Sequence, residues 1–308
     1  DSGEEVPVSD GLGDMMRTHG GWPAGPGTWT LNLSPLAGTG MGLGAALRFY
    51  HPDLAWRGWS LGLGLMATSE GFTVAGMELM ARDPFLWGAA ARIHQQRIDL
   101  YVEDALVQSF EIGTLQSRPR VGFDTGAFRF LVGPLLRWDS LDGFETLDSA
   151  HGAHLSLAWH PPMSFGHLSI RNRTESSLSA YTFVTTHLDS IWQTHRWALR
   201  IRADRNWSTD APLWRGPAYG AGTVLRSAPL GRLRADRMAA SIVEWRPRIS
   251  PMLGAAVFAE GAWADDFYAG AGAGLRLYLP PRPHNTLRMD FAFGLDGWVL
   301  TAGWGDAF

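Results

Sequence analysis

The sequence predicts an all-β protein, a transmembrane antiparallel β-barrel of about 16 strands with a long loop between the eleventh and twelfth strands. Three observations predict it. Segment after segment alternates apolar and polar residues, and a period of two means β-strands. In those segments a wholly apolar face is backed by full charges, which fits a barrel with lipid outside and a polar lumen inside. No run of about 18 apolar residues exists, so no helix of this chain spans a bilayer.

Composition agrees with that reading. The 308 residues are 45% hydrophobic, and the apolar residues are dispersed in alternation. Fifteen Trp and fifteen Phe suit membrane interfaces, and 37 Gly suit tight turns and crowded barrel walls. A net charge of −4 offers no general attraction to nucleic acid. The chain starts at Asp1, and we read it as a mature form after signal-peptide removal, integral to the bacterial outer membrane.

Residues 1–27 show no strand period. Asp1, Glu4, Glu5, Asp10 and Asp14 make this segment acidic, and it reads either as a tail or as a plug for the lumen. The barrel domain is expected over 28–308. TWTLNLSPL opens it, followed by MGLGAALRFYH, RGWSLGLGLMAT, FTVAGMELMAR, LWGAAARIHQQR and ALVQSFEIGTLQSRPRV. AFRFLVGPLLRWDS comes next, and Pro134 within it removes a ladder donor, so a local irregularity is expected there. GAHLSLAWHP, FGHLSIRNRTE, LSAYTFVTTHL and HRWALRIRADRNW complete the first eleven segments. After Trp207 a Gly- and Pro-rich stretch runs to Asp236, longer than an ordinary connection. Five alternating segments then close the chain: DRMAASIVEWRPRI, MLGAAVFAEGAWA, GAGAGLRLYLP, NTLRMDFAFGLD and GWVLTAGWGDAF.

VLRS at 224–227 and the strand that follows, ending in Glu244, Trp245 and Arg246, resemble the long sixth loop and twelfth strand of the BamA/TamA superfamily of outer-membrane barrels. VFAEG at 257–261, LRMDFAF at 287–293 and the terminal GWGDAF resemble the strands after it. The chain departs from the pattern at Ser227, where Gly is usual, and at Glu260, where Asp is common. No POTRA repeats precede the first strand here, so the resemblance implies a barrel-only branch. It implies that the long loop is inward-folded and makes a loop-to-barrel motif of Arg226, Glu260, Glu244 and Arg246, with Glu260 expected as the first partner of Arg226 and Glu244 as the second. It also implies a C-terminal insertion signal at Trp304 and Phe308, read by resident barrel-assembly machinery. A weak seam between the first and last strands would be softened by Gly303 and Gly305. Outer-membrane lipid and a periplasmic partner are the remaining partners.

On the inward face the alternation places Arg48, Arg92, Arg129, Arg137, Arg171, Arg173, Arg200, Arg202, Arg276 and Arg288, against fewer acids, chiefly Asp204, Glu244 and Asp290. Such a wall is either ion-paired or a site for phosphate-bearing or carboxylate ligands, which Arg binds bidentately. His154/Ser156 and His167/Ser169 each share a strand face, the spacing of a base and nucleophile in a barrel lipid hydrolase, but no third member is evident. The expectation is therefore no catalysis, no cofactor and no metal site. Function is expected in outer-membrane biogenesis or in lipid or protein translocation. A plugged or passive anion-preferring pore is the alternative.

Overall fold

The computed structural model describes residues 30–38, 42–51, 59–71, 73–81, 85–102, 105–141, 148–178, 182–208, 217–220, 224–229, 232–278 and 286–304. The acidic segment 1–27, Gly305 and Phe308 lie outside these. So do the side chains of Arg48 and Trp304, whose backbones are described.

The strands are β1 (Thr30–Gly38), β2 (Gly42–His51), β3 (Trp59–Thr68), β4 (Thr73–Ala81), β5 (Leu86–Val102) and β6 (Ala105–Asp124). They continue with β7 (Phe128–Leu141), β8 (Asp148–Trp159), β9 (His167–Leu178), β10 (Thr182–Gln193) and β11 (Trp197–Ser208). Two short strands, β12 (Ala218–Tyr219) and β13 (Leu233–Arg234), pair with each other inside the long connection. The chain ends with β14 (Arg237–Trp245), β15 (Leu253–Ala264), β16 (Asp266–Tyr278), β17 (Thr286–Gly294) and β18 (Gly297–Trp304). Every strand but β12 and β13 joins one closed antiparallel barrel, and β11 pairs directly with β14. All sixteen alternating segments of the sequence are thus barrel strands, and the long stretch between the eleventh and twelfth is the inward loop.

The alternation sorts the faces as expected. On β17, Met289, Phe291 and Phe293 are exposed, while Asp290 and Ala292 are buried. On β16, Leu275 is exposed and Arg276 is fully buried. Outward aromatics gather in two belts. Trp59 and Trp87 meet edge to face at 4.5 Å, and Trp197 faces Trp245 at 6.4 Å, all on the side of the barrel that carries both termini. Trp207, Trp263, Phe267 and Trp298 are exposed at the other side. Paired aromatic girdles around an apolar band mark the two interfaces of a bilayer.

Pro134 does interrupt its ladder. The β6–β7 register holds Ile112–Ser117 against Leu136–Leu141 and resumes at Val121 opposite Val132. Continued through the gap, that register sets Pro119 opposite Pro134, so neither strand has an N–H to offer there. The β5–β6 hairpin is longer than the sequence suggests, at 17 and 20 residues. Its far end carries polar residues without a clean period, because it leaves the apolar slab that imposes one.

The barrel closes at a seam between β1 and β18. Ala37 pairs with Ala302 and Gly38 with Thr301, the two rungs of this ladder among the described residues. On the other edge of each strand the pairing is full-length, from Thr30↔Tyr50 to Gly38↔Gly42 and from Leu287↔Trp304 to Gly294↔Gly297. Pro35, which lacks a ladder donor, stands two residues before the first rung, and Gly303 follows the last.

Candidate functional site

The long connection turns inward because its own apolar residues have a wall to cover. Tyr219, Val224, Leu225 and Ala228 pack on Met238, Ala240, Ala262, Ala264 and Tyr268, lumen-facing residues of β14, β15 and β16. Three of those wall positions are alanines, which leave room for the loop. Tyr219 is completely buried, and its hydroxyl donates to the Met238 carbonyl at 3.5 Å. Burial, reinforced by nearby Asp204, pushes the Tyr219 phenol well above its ordinary range. Burial likewise lowers Arg234 in the same loop.

The loop tip is held by two separate devices. The first grips its backbone. Glu260 on β15 accepts the N–H of Arg226 at 2.8 Å and the N–H of Ser227 at 2.6 Å, and the Ser227 hydroxyl donates to the same oxygen at 2.5 Å. Tyr268 on β16 donates its hydroxyl to the Ser227 carbonyl at 2.7 Å. Glycine makes this approach feasible: a Cβ on Gly270 would lie 2.0 Å from Ser227 Oγ, and one on Gly294 would lie 2.9 Å from the Ser227 carbonyl.

The second device grips the Arg226 side chain. Its Nη2 lies 2.5 Å from Glu244 Oε2 and its Nη1 lies 3.4 Å from Asp290 Oδ2. The guanidinium carbon stands 4.1 Å from the centre of the Phe258 ring. Arg276 bridges the same two acids, at 2.5 Å to Asp290 and 3.4 Å to Glu244. Arg246 meets Glu244 at 2.5 Å, and Arg288 reaches Asp290 at 3.4 Å. Glu244, Asp290 and Arg276 have no exposed surface. Charges so deeply buried persist only when mutually compensated.

The expected motif residues are therefore assembled in one place, with one correction of order. Glu244, not Glu260, is the acid that pairs with the Arg226 guanidinium, and Asp290 is its second partner. Glu260 instead binds backbone amides, because the loop descends with its N–H groups turned toward β15. Ser227 fits where Gly is usual because its hydroxyl has an acceptor in Glu260 and a hollow at Gly270.

No protein-family model matches the sequence, and no curated protein sequence does. Solved structures do resemble the fold. BamA from Haemophilus ducreyi lacking POTRA domains 1–3 superposes with a TM-score of 0.66 at 15% identity, over 91% of this chain and 70% of that one. CdiB from Acinetobacter baumannii gives a TM-score of 0.68 at 12% identity, over 90% and 59%. CdiB from Escherichia coli gives 0.55 at 12%, over 88% and 62%.

The chain has the fold of the BamA and CdiB barrels. It spans less than two thirds of either CdiB chain. Here the loop-borne Arg226 and its acids sit against the wall formed by β14–β17, and the seam lies beside that wall at β18. The fold is that of an integral bacterial outer-membrane protein.

The remaining inward arginines spread around the lumen, and most of them find acids on the same inward face. Arg137 meets Asp139 at 2.8 Å, Arg200 meets Asp189 at 2.7 Å, and Arg202 meets Asp204 at 2.8 Å. Arg173 pairs with Glu175, and Arg120, which the sequence reading passed over, meets Glu78 at 2.7 Å. Arg129 holds Asp124 at 2.8 Å across the β6–β7 turn, at the rim. Arg171 donates to Ser169 Oγ at 3.1 Å. That contact engages the hydroxyl of one His/Ser pair. In the other, His154 Nδ1 lies 3.2 Å from the Pro134 carbonyl. Glu78, Glu175, Asp139 and Asp189 were all readable as inward from strand parity; the signal was there, diluted by the larger number of arginines.

Proposed function

We propose that this chain is an outer-membrane barrel that moves or inserts a polypeptide or lipid, acting through the soft seam between β1 and β18. The observation that carries this reading is the β1–β18 ladder, two rungs among the described residues, beside full-length ladders on the outer edges of both strands. A rung that does not form leaves backbone groups without a partner strand, and in the hydrocarbon region such groups are costly. An edge of this kind is ready to receive another strand. The fold shared with BamA and CdiB supports the same reading. The packed loop and its ion pairs oppose the alternative of a wide passive pore, since they occupy the lumen beside β14–β17.

The test is electrical. In planar bilayers the purified barrel is expected to stay closed, with brief openings. A steady, open, anion-selective conductance would favour the pore and overturn the seam.

A further inference from the structure

Across the lumen from the loop, a second polar cluster is incomplete. Arg92 on β5, Gln116 on β6 and Arg137 on β7 form one continuous rung, for Arg92 pairs in register with Gln116 and Gln116 with Arg137. Strand parity turns all three inward. Arg118 follows two residues along β6. Arg173, Arg137 and Glu175 are the charged groups that act on Arg92.

Counting charges exposes the gap. Four guanidiniums, those of Arg92, Arg118, Arg137 and Arg173, share two carboxylates, Asp139 and Glu175. Asp139 takes Arg137 at 2.8 Å and the Thr114 hydroxyl at 2.6 Å. Glu175 takes Arg118 at 2.5 Å and also Arg173. Arg92 makes no ion pair among the described residues. Three donors in the cluster, Arg92 Nε, Arg118 Nε and Gln116 Nε2, are buried and meet no acceptor among the described residues. Gln116 itself is 2% exposed. Arg120 closes on Glu78 and Arg200 on Asp189, and in the loop cluster, where four guanidiniums also share two carboxylates, each of the four reaches an acid; Arg92 does not among the described residues. Buried donors are almost always satisfied, and a surplus of two positive charges in a confined space repels itself.

What completes such a cluster is an acceptor-rich group carrying two negative charges. A carboxylate would neutralise half of the surplus. A phosphate monoester neutralises all of it, and its oxygens suit guanidinium forks and an amide N–H together. We propose that the Arg92–Gln116–Arg137 rung is a binding site for a phosphate-type dianion, either free in the lumen or carried on a lipid headgroup. The site is separate from the loop cluster and holds whether or not the seam opens.

Calorimetric titration of the full-chain barrel, folded in detergent, tests it. Inorganic phosphate, acetate and short-chain phosphatidic acid are titrated separately into wild type and Arg92→Gln, with folding checked by heat-modifiable mobility. Inorganic phosphate, phosphatidic acid or both are expected to bind at least about tenfold more tightly than acetate, and Arg92→Gln is expected to weaken that binding about tenfold or more. Binding of phosphatidic acid alone assigns the site to a lipid headgroup; binding of inorganic phosphate assigns it to a free anion. If Arg92→Gln does not fold, Gln116→Glu serves instead: it places a carboxylate among the surplus cations and is expected to abolish phosphate binding. Equal affinity for acetate, no binding of either phosphate, or unchanged affinity in the folded variant would overturn the site.

Discussion

The Arg226 guanidinium and the Glu244 carboxylate lie 2.5 Å apart, and neither side chain has more than a trace of exposed surface. One belongs to a loop and the other to the barrel wall, so this contact fastens a mobile class of element to a rigid one. Arg226→Ala removes the loop's own cation from Glu244 and Asp290, which keep Arg246, Arg276 and Arg288 from the wall. Breaking one member out of a buried ion pair costs about 3–5 kcal/mol. The loop should then become protease-sensitive while the barrel remains heat-modifiable. Combining Arg226→Ala with Glu244→Gln should not recover that loss, because Arg246 and Arg276 also close on Glu244 and would lose their acid.

Glu260 should behave differently. Glu260→Gln removes the charge that collects the Arg226 and Ser227 amides but leaves the guanidinium with its own partners. Hydrogen bonds to charged groups are worth about 1.5–3 kcal/mol each. Amide exchange at 226 and 227 should accelerate, with the Arg226–Glu244 pair still formed. A protease-sensitivity as large as that of Arg226→Ala would contradict this division of labour.

Gly270→Ala probes the fit of the tip. The new Cβ would fall 2.0 Å from Ser227 Oγ, so the tip must lift. Overpacking of this kind costs about 1–3 kcal/mol. Adding Ser227→Gly removes the obstructing hydroxyl, so the double variant should dock its loop better than Gly270→Ala alone, as read by limited proteolysis.

Alkaline pH should loosen the same loop. Tyr219, ordinarily near 10.0, is held protonated by burial, with Asp204 adding to the effect. Its folded value lies above its unfolded value, so its contribution to docking is full below pH 10 and is lost as pH rises beyond it. Loop protease-sensitivity should rise above that pH in wild type and lose this dependence in Tyr219→Phe.

Much of this architecture was legible in the residues themselves. A lipid face on one side and charges on the other left the period of two legible where the strands cross lipid, so the barrel strands and the sign of their faces could be read from it. The excess length of β5 and β6 could not, because the extension leaves lipid and with it the constraint that writes the period. Parity placed Glu244, Glu260 and Asp290 inward, yet their roles depended on the path of the loop. Whether an acid meets a guanidinium or a backbone N–H is decided by which way a non-repetitive segment turns. Pro134 announced a break, but its alignment with Pro119 needed the register. The Arg92 cluster was visible as charge; its unsatisfied donors were not, since satisfaction depends on which neighbours the shear of the barrel brings alongside.

The central claim is that β1 and β18 must part for the barrel to act. Cysteines introduced as Ala37→Cys and Ala302→Cys, which face each other on a seam rung, test it most directly. With the disulfide formed and heat-modifiable folding intact, the brief openings in planar bilayers should disappear, and reduction should restore them. Openings that persist unchanged in the crosslinked barrel would contradict the account.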